Sequence, residues 1–162
     1  MCSSDLKRII LWTNLTIWYF LFVGMVFDMI IIAANWRTGD LESVKNLRAF
    51  FHVTEPGDYF MIKLAVLVFA IISPIAYWRT SKAIRNLLLI ALVVTLADIT
   101  FTMLHFLPIN EYVGWYGEKT ELDPVKLKEM CQSWWNYNFL RIALDFVGLL
   151  VSGRALHKSY SS

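Results

Sequence analysis

The sequence predicts an all-α, integral membrane, up-and-down four-helix bundle with a short interfacial helix in its first loop. Three observations carry this expectation. Hydrophobic residues fill 57% of the 162 positions and mean hydropathy is +0.52, whereas a soluble domain holds roughly 45–50% apolar residues. The apolar excess is gathered into four long runs, and about 20 residues suffice for one crossing. Four crossings and their loops use the whole sequence, which leaves a single transmembrane domain, 1–162, with spans at about 9–34, 59–78, 86–107 and 134–156.

The polar lead-in ends in Lys7 and Arg8. The run behind them exceeds a signal-peptide core of roughly 7–15 residues and is expected to remain as span one. Asn14, Trp18, Leu21, Met25 and Asp28 fall at i, i+4, i+7, i+11 and i+14, one helical face that should point inward. Asn14 reads as a packing hydrogen bond between helices. Asp28, a carboxylate below the rim of a span, needs a partner or a task.

In the first loop Leu41, Val44, Leu47, Phe50 and Phe51 recur at helical spacing, predicting an amphipathic helix over 41–52 that lies on the membrane surface. Thr54, Glu55, Pro56, Gly57 and Asp58 read as a helix start with Thr54 as cap and Pro56 in the first turn. Capping accounts for Glu55 and Asp58, and His52 reads as a loop histidine. In span two Lys63 is expected to snorkel to the rim, and Pro74 to kink the far end. Asp123 before Pro124 is a cap followed by a first-turn proline. It predicts one long helix from 124 to about 156 whose first turns stand outside the bilayer.

Lys and Arg number 2, 3 and 2 in the lead-in, the 79–85 connector and the tail after Gly153. All three stretches are short and adjoin spans, so the positive-inside rule puts both termini in the cytoplasm.

Asp98, Thr102 and His105 are spaced i, i+4, i+7 and should share a face of span three. Trp134, Asn138, Arg141 and Asp145, spaced i, i+4, i+7, i+11, should share a face of span four. At 1.5 Å per residue Arg141 lies roughly 10 Å and Asp145 roughly 16 Å below Trp134, with Asp98 roughly 13 Å below Leu107. Those three therefore lie at comparable depth, and Asp28 could join them. Two readings follow. One is a buried ion network that fixes helix register. The other is an amphipathic pocket with aromatic walls (Trp115, Trp134, Trp135, Phe101, Phe106), a cationic floor at Arg141 and a titratable His105 near its mouth.

Other chemistries find little support. A net charge of +2 without a basic block gives no reason to expect a nucleic-acid partner. Cys2 and Cys131 are far apart and form no C-x-x-C pair. His105 is the one histidine within a span, which excludes a bis-histidine haem, and no ligand spacing suggests a metal. No phosphate loop or nucleophile elbow is present. Neither a metal nor a cofactor is expected. The absence of an inverted repeat argues against an ion path.

At the rim of spans three and four the sequence carries P-x-N (Pro108, Ile109, Asn110). It also carries W-x3-N-x2-R (Trp134, Asn138, Arg141), led in by Asp123, Pro124, Leu127 and Met130. In these features it resembles the anthrone-oxygenase-like family of small four-span integral membrane proteins, most of them of unassigned function. The resemblance covers roughly the C-terminal half, together with span count and length. Loop one, F-F-H-V-T-E-P-G-D-Y-F, is outside it. The resemblance implies an enzyme that oxidises an anthrone to an anthraquinone with molecular oxygen and no bound metal or flavin. Such chemistry needs a base to make an enolate and a cation to hold it. His105 and Arg141, with Asp98 beside them, are the catalytic candidates. Asn110, Trp134, Asn138, Asp145 and Asp28 are the substrate-binding candidates.

The expected function is thus cofactor-independent oxidation, or related enolate chemistry, on a hydrophobic aromatic or polyketide-like substrate at the non-cytoplasmic rim. Its partners are the lipid bilayer and that substrate, and a homo-oligomer is compatible with the architecture. The alternative is a non-catalytic four-span subunit whose polar face binds a partner helix or lipid. The enzyme should have a cavity lined by His105, Asn110, Asn138 and Arg141. The subunit should have those residues paired with one another.

Overall fold

Apolar runs of this length have one economical way to satisfy their backbone, the internal hydrogen bonds of a helix. A computed structural model of the chain describes residues 3–51, 53, 56–114 and 121–161. Among them every regular element is helical. Helix α1 spans Ser3–Phe27 and continues through a π-helical turn, Asp28–Ile32, and a 3-10 turn, Ala33–Asn35. The loop that follows holds α2 (Leu41–Phe50) and α3 (Pro56–Phe60). Helix α4 spans Ile62–Ala76. Helix α5 spans Lys82–Phe101 and passes through a second π-helical turn, Thr102–Phe106, into α6 (Leu107–Val113). Helix α7 spans Pro124–Lys158. Expectations for His52, Thr54, Glu55 and Trp115 lie outside the described residues.

Among the described residues three stretches are long and apolar enough to cross a membrane: Ser4–Asn35, Gly57–Ala76 and Lys82–Val113. These are the long apolar helices of a membrane protein. Helix α7 is the longest at 35 residues, but Asn136, Asn138, Arg141 and Asp145 interrupt its apolar run. Asn138, Arg141 and Asp145 are buried among the other helices. Hydrocarbon-like residues cover much of the outer surface, with Val93, Leu104 and Leu150 more than half exposed.

The long helices pack in a ring, α1 on α4, α4 on α5, α5 on α7 and α7 on α1. Cross-links give their sense. Asn14 Nδ2 donates to Ser152 Oγ at 3.0 Å, the interhelical bond the sequence predicts. Arg8 Nη2 reaches the Ser159 carbonyl at 3.3 Å. Met25 and Met29, further along α1, meet Arg141 and Asn138, so α1 and α7 are antiparallel. Small residues set the spacing. A Cβ at Gly148 would overlap the Trp18 ring, which is itself fully buried.

The loop-side end has its own core, in which Trp36, Val44, Phe106, Val113, Leu127 and Trp134 are buried together. Cys131 lies in it, and burial pushes its thiol up to about 12. Helix α2 starts at an Asp40 cap, which accepts from Ser43 N at 3.0 Å. It turns Val44 into this core, with Leu41 and Leu47 packed beside it. Arg48 Nε donates to the Val113 carbonyl, and its Nη2 to that of Tyr112 at 3.3 Å. It thus serves carbonyls that the end of α6 leaves free. Gly114 closes that end at φ +88°, and a side chain there would overlap the Arg48 guanidinium. Asp123 Oδ1 accepts from Val125 N and Lys126 N at 2.8 and 2.9 Å, so the predicted cap of α7 is formed.

The Asp40 cap makes α2 sensitive to acid. Hydrogen bonds from the backbone and hydroxyl of Ser43 hold its carboxyl below the ordinary 3.8. A lowered native pKa adds stability that is complete above 3.8 and lost as pH falls through the lowered value. The Ser43 amide should therefore lose hydrogen-exchange protection in that acid range, after correction for intrinsic rate. Asp40→Asn should show no such pH dependence.

Candidate functional site

The charged residues inside the ring gather around Asp98 and Arg141. Helix α5 carries Asp98 at the inner face, 3% exposed. Lys63 Nζ, from the first turn of α4, forms an ion pair with Asp98 Oδ2 and donates to Thr102 Oγ1 at 3.3 Å. Arg141 Nε, from α7, stands 3.6 Å from Asp98 Oδ1. That is ion-pair range but too long for a hydrogen bond. The expected snorkelling of Lys63 is overturned, since its side chain keeps only 11% exposure. The cause is on α5, where Asp98 and Thr102 offer acceptors that outweigh the pull of the rim. Lys63 is the site residue the sequence reading missed. Three intraspan acids, Asp28, Asp98 and Asp145, against Arg141 alone were the signal that a second cation belonged inside.

Arg141 is 5% exposed. Its Nη1 donates to Asn138 Oδ1 at 3.2 Å, its Nη2 points at Met25 Sδ at 3.8 Å, and its carbon centre lies 4.2 Å from the Phe106 ring centroid. Asn138 Nδ2 in turn reaches Met29 Sδ at 3.4 Å. Sulfur is a weak acceptor and an aromatic face gives a cation a modest attraction, so this guanidinium is held softly on two sides. One turn deeper, Asp145 is fully buried, and neither carboxylate oxygen has a hydrogen-bond partner among the described residues. Asp28 is also buried and lies within electrostatic reach of Arg141.

The sequence places His105 on the face of Asp98 and Thr102, and the structure corrects this. The π-helical turn Thr102–Phe106 inserts an extra residue into the helix, so the inward position passes from His105 to Phe106. Phe106 is fully buried against Arg141 and Trp134. His105 is half-buried between α5 and α7, stacked on Phe101 at 5.4 Å and edge-on to Tyr137 at 4.5 Å. Its Nε2 lies 3.4 Å from Ser133 Oγ. The matching π-helical turn of α1 begins at Asp28, and there the predicted face from Asn14 to Asp28 is buried throughout.

Above the cluster, Trp134 Nε1 donates to Asn110 Oδ1 at 3.0 Å and its ring meets Trp36 at 4.8 Å. This closes the rim over Arg141. Of the aromatic walls expected, Phe106 and Trp134 face the cluster and Phe101 packs on His105. Trp135 is partly buried at the edge of the loop-side core, beneath the Arg37 guanidinium at 4.8 Å. An apolar cavity of about 440 Å³ lies beside the cluster, with Asp28 in its wall. His105, Asn110, Asn138 and Arg141 are not among its lining residues. Among the described residues no three histidine, cysteine or acidic side chains converge as metal ligands would.

The sequence model of the family described as anthrone oxygenase matches residues 50–151, more than half of the chain. The chain belongs to the anthrone oxygenase family. The match begins ahead of α3 and so takes in the first-loop segment that the motif comparison left out. It includes Lys63, Asp98, His105, Asn110, Trp134, Asn138, Arg141 and Asp145, whereas Asp28 lies before it. No curated protein and no solved structure matches the chain significantly.

The exchange of His105 for Phe106 at the inner face has a measurable consequence. Phe106→Ala empties a fully buried aromatic position and should cost about 3–5 kcal/mol. His105→Ala, at a half-buried position, should cost roughly 1 kcal/mol or less. Denaturation of both variants in detergent checks this, and equal losses would place both rings in the core.

Proposed function

We propose that this anthrone oxygenase family member is a membrane enzyme that oxidises a hydrophobic aromatic substrate with molecular oxygen. The overall change is anthrone plus O2 to anthraquinone plus water. A base removes the benzylic proton and leaves an enolate. The enolate's electrons reduce O2, a carbon–oxygen bond forms as a hydroperoxide, and loss of water gives the new carbonyl. The cation pair Lys63 and Arg141, anchored by Asp98, stabilises the enolate oxygen. Asn110, Trp134, Asn138, Asp145 and Asp28 orient the substrate. His105 is the base named by its residue type, and Asp145 is a second candidate because its oxygens accept no bond from the described residues.

The supporting observation is the soft surround of Arg141. Thioether sulfur and an aromatic face flank it, and its Nε lacks a hydrogen-bond partner among the described residues. A buried guanidinium with unspent donor capacity favours an incoming anion. In the same reading α1, α4, α5 and α7 are four spans of a bundle with both termini cytoplasmic. Helix α2 then rests at the opposite interface, and the bilayer delivers the substrate.

One observation favours the second reading, a non-catalytic membrane subunit. Asp98, Asn138 and Arg141 are buried and pair with one another, as a register-fixing network would.

Oxygen uptake separates the two. The purified protein in lipid nanodiscs, given a hydroxylated anthrone and a metal chelator, should consume one O2 per anthraquinone formed. Arg141→Gln should lower the rate about 100-fold or more, the scale of losing one oxyanion donor. A wild-type rate equal to that of empty nanodiscs would leave the subunit reading.

A further inference from the structure

The cavity beside the cluster has a construction that the cluster itself does not explain. It lies between the end of α1 and helix α3, and Val23, Gly24, Phe27, Asp28, Tyr59 and Phe60 form most of its wall. Val23, Phe27 and Tyr59 are each about half exposed on the outer surface of the ring. Gly24 makes room for it. A Cβ at that position would overlap the Tyr59 ring, which lies across α1 and donates its hydroxyl to the Phe20 carbonyl. The Tyr59 hydroxyl proton is thereby committed. Asp28 is the acidic residue of the wall, and it is 5% exposed.

We propose that this cavity is a bilayer-facing binding site for a flat apolar molecule carrying a hydroxyl group, which donates to Asp28. The volume, about 440 Å³, falls in the range of small-molecule pockets, roughly 300–1,000 Å³. The apolar mouth suits a ligand arriving through hydrocarbon. Arg141, within electrostatic reach of Asp28, disfavours a cationic ligand and leaves a neutral hydroxyl donor as the matching group. The site rests on the membrane-enzyme reading and extends it. It gives the substrate a lateral route that ends at Asp28, next to the Lys63–Asp98–Arg141 junction.

The test is binding of a hydroxyanthraquinone, with unsubstituted anthraquinone as comparator, to the full chain in nanodiscs. Val23→Trp fills the mouth, and Ile32→Phe narrows the wall should the first variant not fold. Each should weaken hydroxyanthraquinone binding at least tenfold. Asp28→Leu should weaken the hydroxylated ligand tenfold and leave the comparator unchanged. The proposal is overturned if wild type binds neither compound, if it binds both equally, or if the filled variants bind as wild type does. Oxygen uptake in the same samples keeps the two ideas apart. Unchanged binding in the filled variants with active oxidation sinks the portal alone, whereas expected binding with no wild-type oxidation sinks the enzyme alone.

Discussion

Asp98 is a buried carboxylate that two cations reach from different helices, and the loop-side half of the molecule depends on that junction. Lys63 brings α4 to α5, and Arg141 brings α7 to α5. Removing one member of such a buried set is strongly destabilising, about 3–5 kcal/mol, because the remaining charges lose their compensation. Everything placed around it follows from where Arg141 is drawn. Asn138 turns to accept from the guanidinium, Phe106 lies against its face, and the methionines of α1 fill the third side.

The helical framework was legible because hydropathy and periodicity act locally. The Asp123 cap, an interhelical hydrogen bond at Asn14 and the inward face from Asn14 to Asp28 each follow from a residue type and a spacing, whereas Ser152 as the partner of Asn14 comes from the structure. Arg141 and Asp98 meet as their depths predict. Two things were not legible. A π-helical turn leaves no mark in a 3.6-residue pattern, so counting by i+7 from Asp98 selects His105 where the chain presents Phe106. Lys63 has the long stem that reaches a rim, and only its pairing with Asp98 decides that it turns inward. Both misses are tertiary, arising where packing or pairing outvotes a local rule.

The rim is built to close over the junction. Asn110 holds Trp134, Trp36 packs on Trp134, and α2 is fixed by Arg48 to the end of α6. Aromatic rings thus lie directly above the junction, while the outer side between α1 and α3 carries an apolar cavity. The two π-helical turns, at Asp28 and at Thr102, lie where the polar residues of α1 and α5 approach that centre. Such turns are frequent at functional sites. Here they redirect the chain between its buried polar stretch and its aromatic rim.

The most direct measurement is a double-mutant cycle on the junction itself, with Lys63→Met, Asp98→Leu and the double variant unfolded under one condition. Asp98 as shared counter-ion predicts that the double variant is more stable than the sum of the single losses. The coupling should be about 1–3 kcal/mol, at the upper end of what contacting pairs give. Strict additivity of the two losses would mean that Lys63 lies outside the pair, with its ammonium at the rim, and the junction would not organise the site.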